Sequence, residues 1–199
     1  NTTGTSNNAF GNYALRSNIS GRRNSAFGGL TLNKNVGGNT NNGFGYFALY
    51  RNTTNNNNAF GAYALASNTT GYRNSAFGHL ALKANTISSS NSAFGYKALY
   101  TNRVSNNSAF GDRALTSNTT GIRNNAFGSI ALQGNTSGNN NNAFGSYTLN
   151  SNTTGNSNNA FGALALQLNT SGTNNSAFGH YTLNKNTIGN RNSAFGHRA

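Results

Sequence analysis

The chain has no cysteine, a single carboxylate side chain at Asp112, and only 8% charged residues among its 199 positions. Without cysteine there are no disulfides and no thiol chemistry, and the redox compartment stays open. One carboxylate cannot supply a paired-carboxylate, two-metal or Ser-His-Asp mechanism, so the composition points away from an enzyme, and no cofactor is expected. No apolar run is long enough to span a membrane. There is also no initiating methionine. The chain opens inside a repeat at Asn1-Thr-Thr-Gly4, so its start reads as processed or truncated, and the missing leader says nothing of a precursor. With 34% hydrophobic residues, composition alone would permit a disordered polar tract.

The register of the residues that are present argues against disorder. Twelve of the thirteen phenylalanines, Phe10, Phe27, Phe44, Phe60, Phe77, Phe94, Phe110, Phe127, Phe144, Phe161, Phe178 and Phe195, recur at spacings of 16 or 17. Each is followed by glycine, preceded by Ala or Gly, and carries an asparagine three positions upstream; eleven have a leucine five positions on, from Leu15 to Leu183. A short fixed period over the whole chain means one small unit stacked on itself. The unit reads Asn-Thr-Thr-Gly-x-x-Asn-Ser-Ala-Phe-Gly-x-Tyr-Ala-Leu-x-x. Two strand-like pieces stand out, Ser-Ala-Phe and x-Tyr-Ala-Leu. The glycine between them suits a corner with positive φ or close backbone approach. Asn-Thr-Thr-Gly is turn chemistry, and no sustained 3.6-residue pattern supports a helix.

These features predict an all-β chain, a parallel β-solenoid or β-roll of about twelve coils of 16–17 residues, forming one repeat domain over 1–199 and a rod roughly 55 Å long at the inter-strand spacing. The two shortened units, at Asn52-Thr-Thr-Asn55 and Asn102-Arg-Val-Ser105, lose their residue in the turn and leave the strands in register. A 50-residue period lies on top: Arg23, Arg73 and Arg123 follow it, as expected from duplication of a three-coil block.

Equivalent positions in stacked coils form columns. Asn18, Asn35, Asn52, Asn68, Asn85, Asn102, Asn118, Asn135, Asn152, Asn169 and Asn186 are read as an asparagine ladder, each amide donating to one neighbour and accepting from the other. A second asparagine column runs from Asn7 to Asn192. The phenylalanine and leucine columns are read as the stacked core. Three residues after each phenylalanine stands a further column, large and apolar or aromatic at Tyr13, Leu30, Phe47, Tyr63, Leu80, Ile130, Tyr147, Leu164 and Tyr181. Strand alternation would place it on the leucine face. Because Lys97, Arg113 and Arg198 share it and resist burial in a narrow coil, it is read as a subunit interface rather than extra core.

The motif Asn74-Ser-Ala-Phe-Gly78, followed by Ala-Leu and Asn-Thr-Thr-Gly, resembles the head repeats of trimeric autotransporter adhesins and is similar to related repeats in bacteriophage fibre proteins. The unit here is longer, and phenylalanine stands where those repeats carry an aliphatic residue. The resemblance implies a left-handed parallel β-roll that assembles in threes, exposed on a cell or virion surface. The expected role is therefore a structural or adhesive module of an extracellular fibre, self-associating laterally as a homo-oligomer, with a trimer favoured. Filament growth end to end is also expected, since Ala199 and Asn1 nearly complement one another in repeat register.

The alternative is a ligand- or ice-binding solenoid, suggested by the threonines that follow the ladder asparagine (Thr53, Thr69, Thr86, Thr119, Thr136, Thr153, Thr170, Thr187). A net charge of +13 invites an anionic partner such as a surface glycan. Specific nucleic-acid binding is not expected, because no charged residue lies between Arg123 and Lys185. His180 and His197, which would be stacked neighbours, lack the cysteine or acid expected of a metal site. Asn52 and Asn118 fit glycosylation sequons, a pattern that follows from the turn repeat itself.

Overall fold

The computed structural model describes residues 2–199. Twelve three-residue strands recur along the chain: β1 (Asn8–Phe10), β2 (Ser25–Phe27), β3 (Asn42–Phe44), β4 (Asn58–Phe60), β5 (Ser75–Phe77), β6 (Ser92–Phe94), β7 (Ser108–Phe110), β8 (Asn125–Phe127), β9 (Asn142–Phe144), β10 (Asn159–Phe161), β11 (Ser176–Phe178) and β12 (Ser193–Phe195). They form one parallel sheet in sequence order. Each phenylalanine pairs with the next, including Phe44 with Phe60 and Phe94 with Phe110 across the 16-residue coils. The chain is a parallel β-solenoid, and the shortened turns leave the strand register intact.

Each coil has one strand, not the expected two. The x-Tyr-Ala-Leu piece is a series of turns, because the residues three and five after each phenylalanine take left-handed backbone geometry, as at Tyr63 (φ 58°) and Leu65 (φ 50°). A third left-handed residue precedes each strand, as at Arg73 (φ 56°). Such geometry costs a non-glycine residue roughly 1–2 kcal/mol. It also turns the backbone N–H along the rod axis. Leu30 donates to the Asn12 carbonyl at 2.8 Å, Leu32 to Ala48 at 3.0 Å and Arg23 to Thr5 at 3.0 Å. Hydrogen bonding between coils therefore continues outside the sheet, each bond contributing a net 0.5–1.5 kcal/mol, comparable to the conformational cost.

The glycine after each phenylalanine meets both expectations of a corner. Gly78 has φ +136°, and a Cβ there would lie 2.4 Å from the Gly95 carbonyl oxygen in the next coil. Only glycine lets two corners approach this closely.

The interior differs from expectation. Side chains alternate along a strand, so phenylalanine and the preceding alanine cannot face the same way. Alanine faces in: Ala26, Ala59, Ala76 and Ala93 are fully buried, joined by Ala64, Ala81 and the leucine column from Leu32 to Leu166. None of the phenylalanines Phe10 to Phe195 belongs to this core. They stand on the outer face of the sheet, half-buried along most of the rod and more open toward its ends, at 64% exposure for Phe10 and 70% for Phe195. The other half of the interior is asparagine, with both columns buried through the body of the rod.

Candidate functional site

Three surfaces and one interior ladder carry the residues singled out from the sequence. In the ladder, the Asn68 amide nitrogen donates to the Asn52 side-chain oxygen at 2.7 Å and to its own turn's Gly71 carbonyl at 2.8 Å. The same double donation repeats at Asn118, Asn135, Asn152 and Asn169. The ladder is not continuous, however. At the shortened turns the missing glycine leaves Asn52 donating to Thr54 at 2.9 Å and Asn102 to Val104 at 2.6 Å. The buried oxygens of Asn35 and Asn85, one coil earlier, are left without a donor. The column is thereby cut into Asn18–Asn35, Asn52–Asn85 and Asn102–Asn186. Because Asn52 and Asn118 are fully buried, their sequons present no accessible nitrogen in the folded chain.

The upstream asparagine column is bonded differently. The backbone N–H of Asn74 donates to the Asn57 side-chain oxygen at 3.0 Å, while its own amide reaches forward to the Ser88 carbonyl at 2.8 Å. Each such residue thus bridges the coil before and the coil after.

On the outer sheet face the phenylalanine rings form an unbroken stack. Successive centroids are 4.6 Å apart at Phe60–Phe77 and Phe77–Phe94, and 5.0 Å at Phe161–Phe178 and Phe178–Phe195. These distances fall within the range favoured for offset stacking. The Ser/Asn column two residues earlier shares the face, with Asn125, Asn142 and Asn159 linked amide to amide at 2.9 and 2.8 Å.

The column read as an interface lies on a different edge. Tyr13, Leu30, Phe47, Tyr63, Leu80, Ile130, Tyr147, Leu164 and Tyr181 all have left-handed backbone, and none is buried. The alternation argument that put them on the leucine face fails, because no second strand exists there. They project at a corner, where Phe47 stacks on Tyr63 at 5.4 Å. The positions two and six after each phenylalanine converge on the same corner and add Tyr46, His79, Tyr96, Lys83 and Tyr100. Their signal was present in the matched segments Phe44–Asn52 and Phe94–Asn102, which share both tyrosines.

No family model, curated protein or solved structure matches the chain.

His180 and His197 do meet, Nδ1 to Nε2 at 3.3 Å, but no cluster of three metal-ligating residues occurs among the described residues. The threonine column lies in the turns. Thr119, Thr136, Thr153 and Thr170 each donate their hydroxyl to the next threonine's carbonyl at 3.0–3.1 Å. No helix among the described residues is long and apolar enough to cross a membrane.

Proposed function

We propose that the chain is a structural and adhesive repeat module of an extracellular or virion-surface fibre, in which rods associate side by side as a homo-oligomer, a trimer being favoured. The phenylalanine stripe carries this reading. An aromatic column along the rod, about 55 Å long and, with the adjoining Ser/Asn column, about 15 Å wide, offers roughly 800 Å². That is the area each partner contributes to a standard stable interface, with the unbroken column of rings running along its length. A column with a regular rise is matched best by another of the same rise, and a second copy supplies one. The surface location rests on the resemblance of the repeats.

Molecular mass at micromolar concentration tests the reading. Ser75→Lys with Ser108→Lys places charge beside the stripe without touching the core, so a multimeric parent and a monomeric variant of unchanged circular dichroism are expected. A parent that is monomeric with full β-sheet signal would rule lateral association out.

The threonine column favours a second reading, as an ice-binding face. From Thr119 to Thr187 it is uninterrupted and evenly spaced. The hydroxyl protons of Thr119, Thr136, Thr153 and Thr170 are committed to backbone carbonyls, leaving their oxygen lone pairs to accept from water. A thermal-hysteresis measurement distinguishes the two.

A further inference from the structure

We infer that the corner patch formed by Tyr63, Lys83, Tyr96, Lys97, Tyr100 and Arg113 is a binding site for an acidic polysaccharide. Elsewhere this corner is mostly apolar or neutral. Between the fourth and seventh strands it becomes a lattice of cations over rings. Lys83 Nζ lies 5.8 Å from the Tyr63 ring centre and 5.7 Å from that of Tyr100. Lys97 Nζ lies 5.2 Å from Tyr96 and 5.8 Å from Tyr100, and Arg113 Cζ lies 5.8 Å from Tyr96.

Each contact holds a flexible side chain in place, which lowers the entropy lost when an anion is bound. Asp112, the only carboxylate side chain in the chain, stands in this same corner two after Phe110 but forms no ion pair with Lys83, Lys97 or Arg113, so the patch keeps a net charge of +2 (3 − 1). A groove bounded by Lys83, Tyr100 and Arg103 continues the patch toward the turn. The three cations sit on three successive coils, so they repeat at about 4.8 Å along the axis. A polymer bearing an anionic group on successive rings matches that arrangement.

The ring faces decide against nucleic acid. Bases bind single-strand sites by stacking on open aromatic faces, whereas Tyr63, Tyr96 and Tyr100 each already hold an ammonium or guanidinium group 5.2–5.8 Å from the ring centre, and Tyr63 also stacks on Phe47. Tyrosine hydroxyls and ring edges remain for sugar hydroxyls and C–H groups, while the cations take carboxylate or sulfate. Polyglutamate supplies the charge but not the hydroxyls.

Calorimetric titration of the full chain with alginate, a polyuronate, tests this, with dextran, poly-L-glutamate and oligo(dT) as comparators at one ionic strength. Alginate is expected to bind more tightly than all three. The variant K83Q/K97Q/R113Q should weaken alginate at least tenfold. The variant R22Q/R23Q/K34Q, which also lowers net charge from +13 to +10 (13 − 3), should change it less than twofold. Tyr100→Leu, which keeps every charge, should weaken it about threefold, and melting curves should show all variants folded. Absence of alginate binding, equal losses from the two triple variants, or tighter binding of dextran, polyglutamate or oligo(dT) would overturn the assignment.

Discussion

Replacing Gly78 by alanine perturbs one corner of the rod in two separable ways. The first is conformational: φ of +136° is open to glycine but strains any L-residue by roughly 1–3 kcal/mol. The second is the approach of the next coil. The new Cβ would stand 2.4 Å from the Gly95 oxygen and 2.7 Å from its carbonyl carbon, atoms of a backbone that cannot swing aside. To reach ordinary contact the coils must part locally by nearly an ångström. That strains the bonds crossing the joint, Gly95 N–H to the Phe77 carbonyl at 2.7 Å and Lys97 N–H to His79 at 3.1 Å. Two weakened bonds add roughly 1–3 kcal/mol, so the whole loss is about 2–6 kcal/mol.

Gly196 separates the two parts, since it has φ +123° but nothing within 4 Å of its Cβ. Gly196→Ala should carry the conformational cost alone. Ser75→Val, on the outer sheet face, should stay within about 0.5 kcal/mol of the parent. Because coils in a stack unfold partly independently, chemical denaturation should be paired with hydrogen exchange at Gly95 and Gly196, which reads each joint directly. If Gly78→Ala and Ser75→Val left equal stability, the corner argument would fail. If Gly78→Ala and Gly196→Ala cost the same at their own joints, close approach would contribute nothing.

Other perturbations test the remaining interior. Leu82→Ala should cost about 2–5 kcal/mol as a buried truncation, while Phe77→Ala should cost only about 1–2 kcal/mol, mostly lost stacking; the reverse order in denaturation curves would put the ring inside. Inserting glycine between Thr54 and Asn55 recreates the turn found at Asn152-Thr-Thr-Gly155. It should return a donor to Asn35 and stabilise the rod by about 1 kcal/mol, a gain in melting temperature that would be absent if the gap were costless. Thr40 is β-branched at φ 56°, where the same column elsewhere holds Asn56, Asn106, Asn140 and Asn174; Thr40→Asn should raise stability by roughly 0.5–1 kcal/mol, and a loss would show that the left-handed strain is not felt.

The stack, its period and the position of the strand were legible because they need only a repeat and a Ser-Ala-Phe alternation. Which way that strand faces was also present, in the invariably small residue before each phenylalanine; a narrow coil has room for Ala26 or Ala76 and not for Phe27 or Phe77. The turns were not legible. Tyr63 and Leu65 are poor left-handed residues by any local preference, and only hydrogen bonding to adjacent coils makes that geometry acceptable. A pattern rule that assumes alternation therefore misplaced the Tyr63 column. The corner patch escaped for a related reason, since its members come from three columns that meet only once the turn geometry is known.

The shortened turns link the interior to this surface. A buried oxygen without a donor costs about 1–3 kcal/mol, so the joints after Asn35 and Asn85 are the weakest points of the amide ladder. The second joint runs through the corner patch: Lys83 lies on one side of it and Lys97 and Tyr100 on the other, tied across by the Lys83–Tyr100 contact at 5.7 Å. The cations and rings thus reinforce from outside the place where the ladder fails within. Beyond Asn102 the ladder runs unbroken to Asn186, and over most of that length, between Arg123 and Lys185, the chain carries no charge. A polyanion bridging Lys83 and Lys97 would bind only the closed joint and so stabilise it by mass action. On that assignment, ligand binding and the integrity of the rod would be coupled at that coil and not along the C-terminal half.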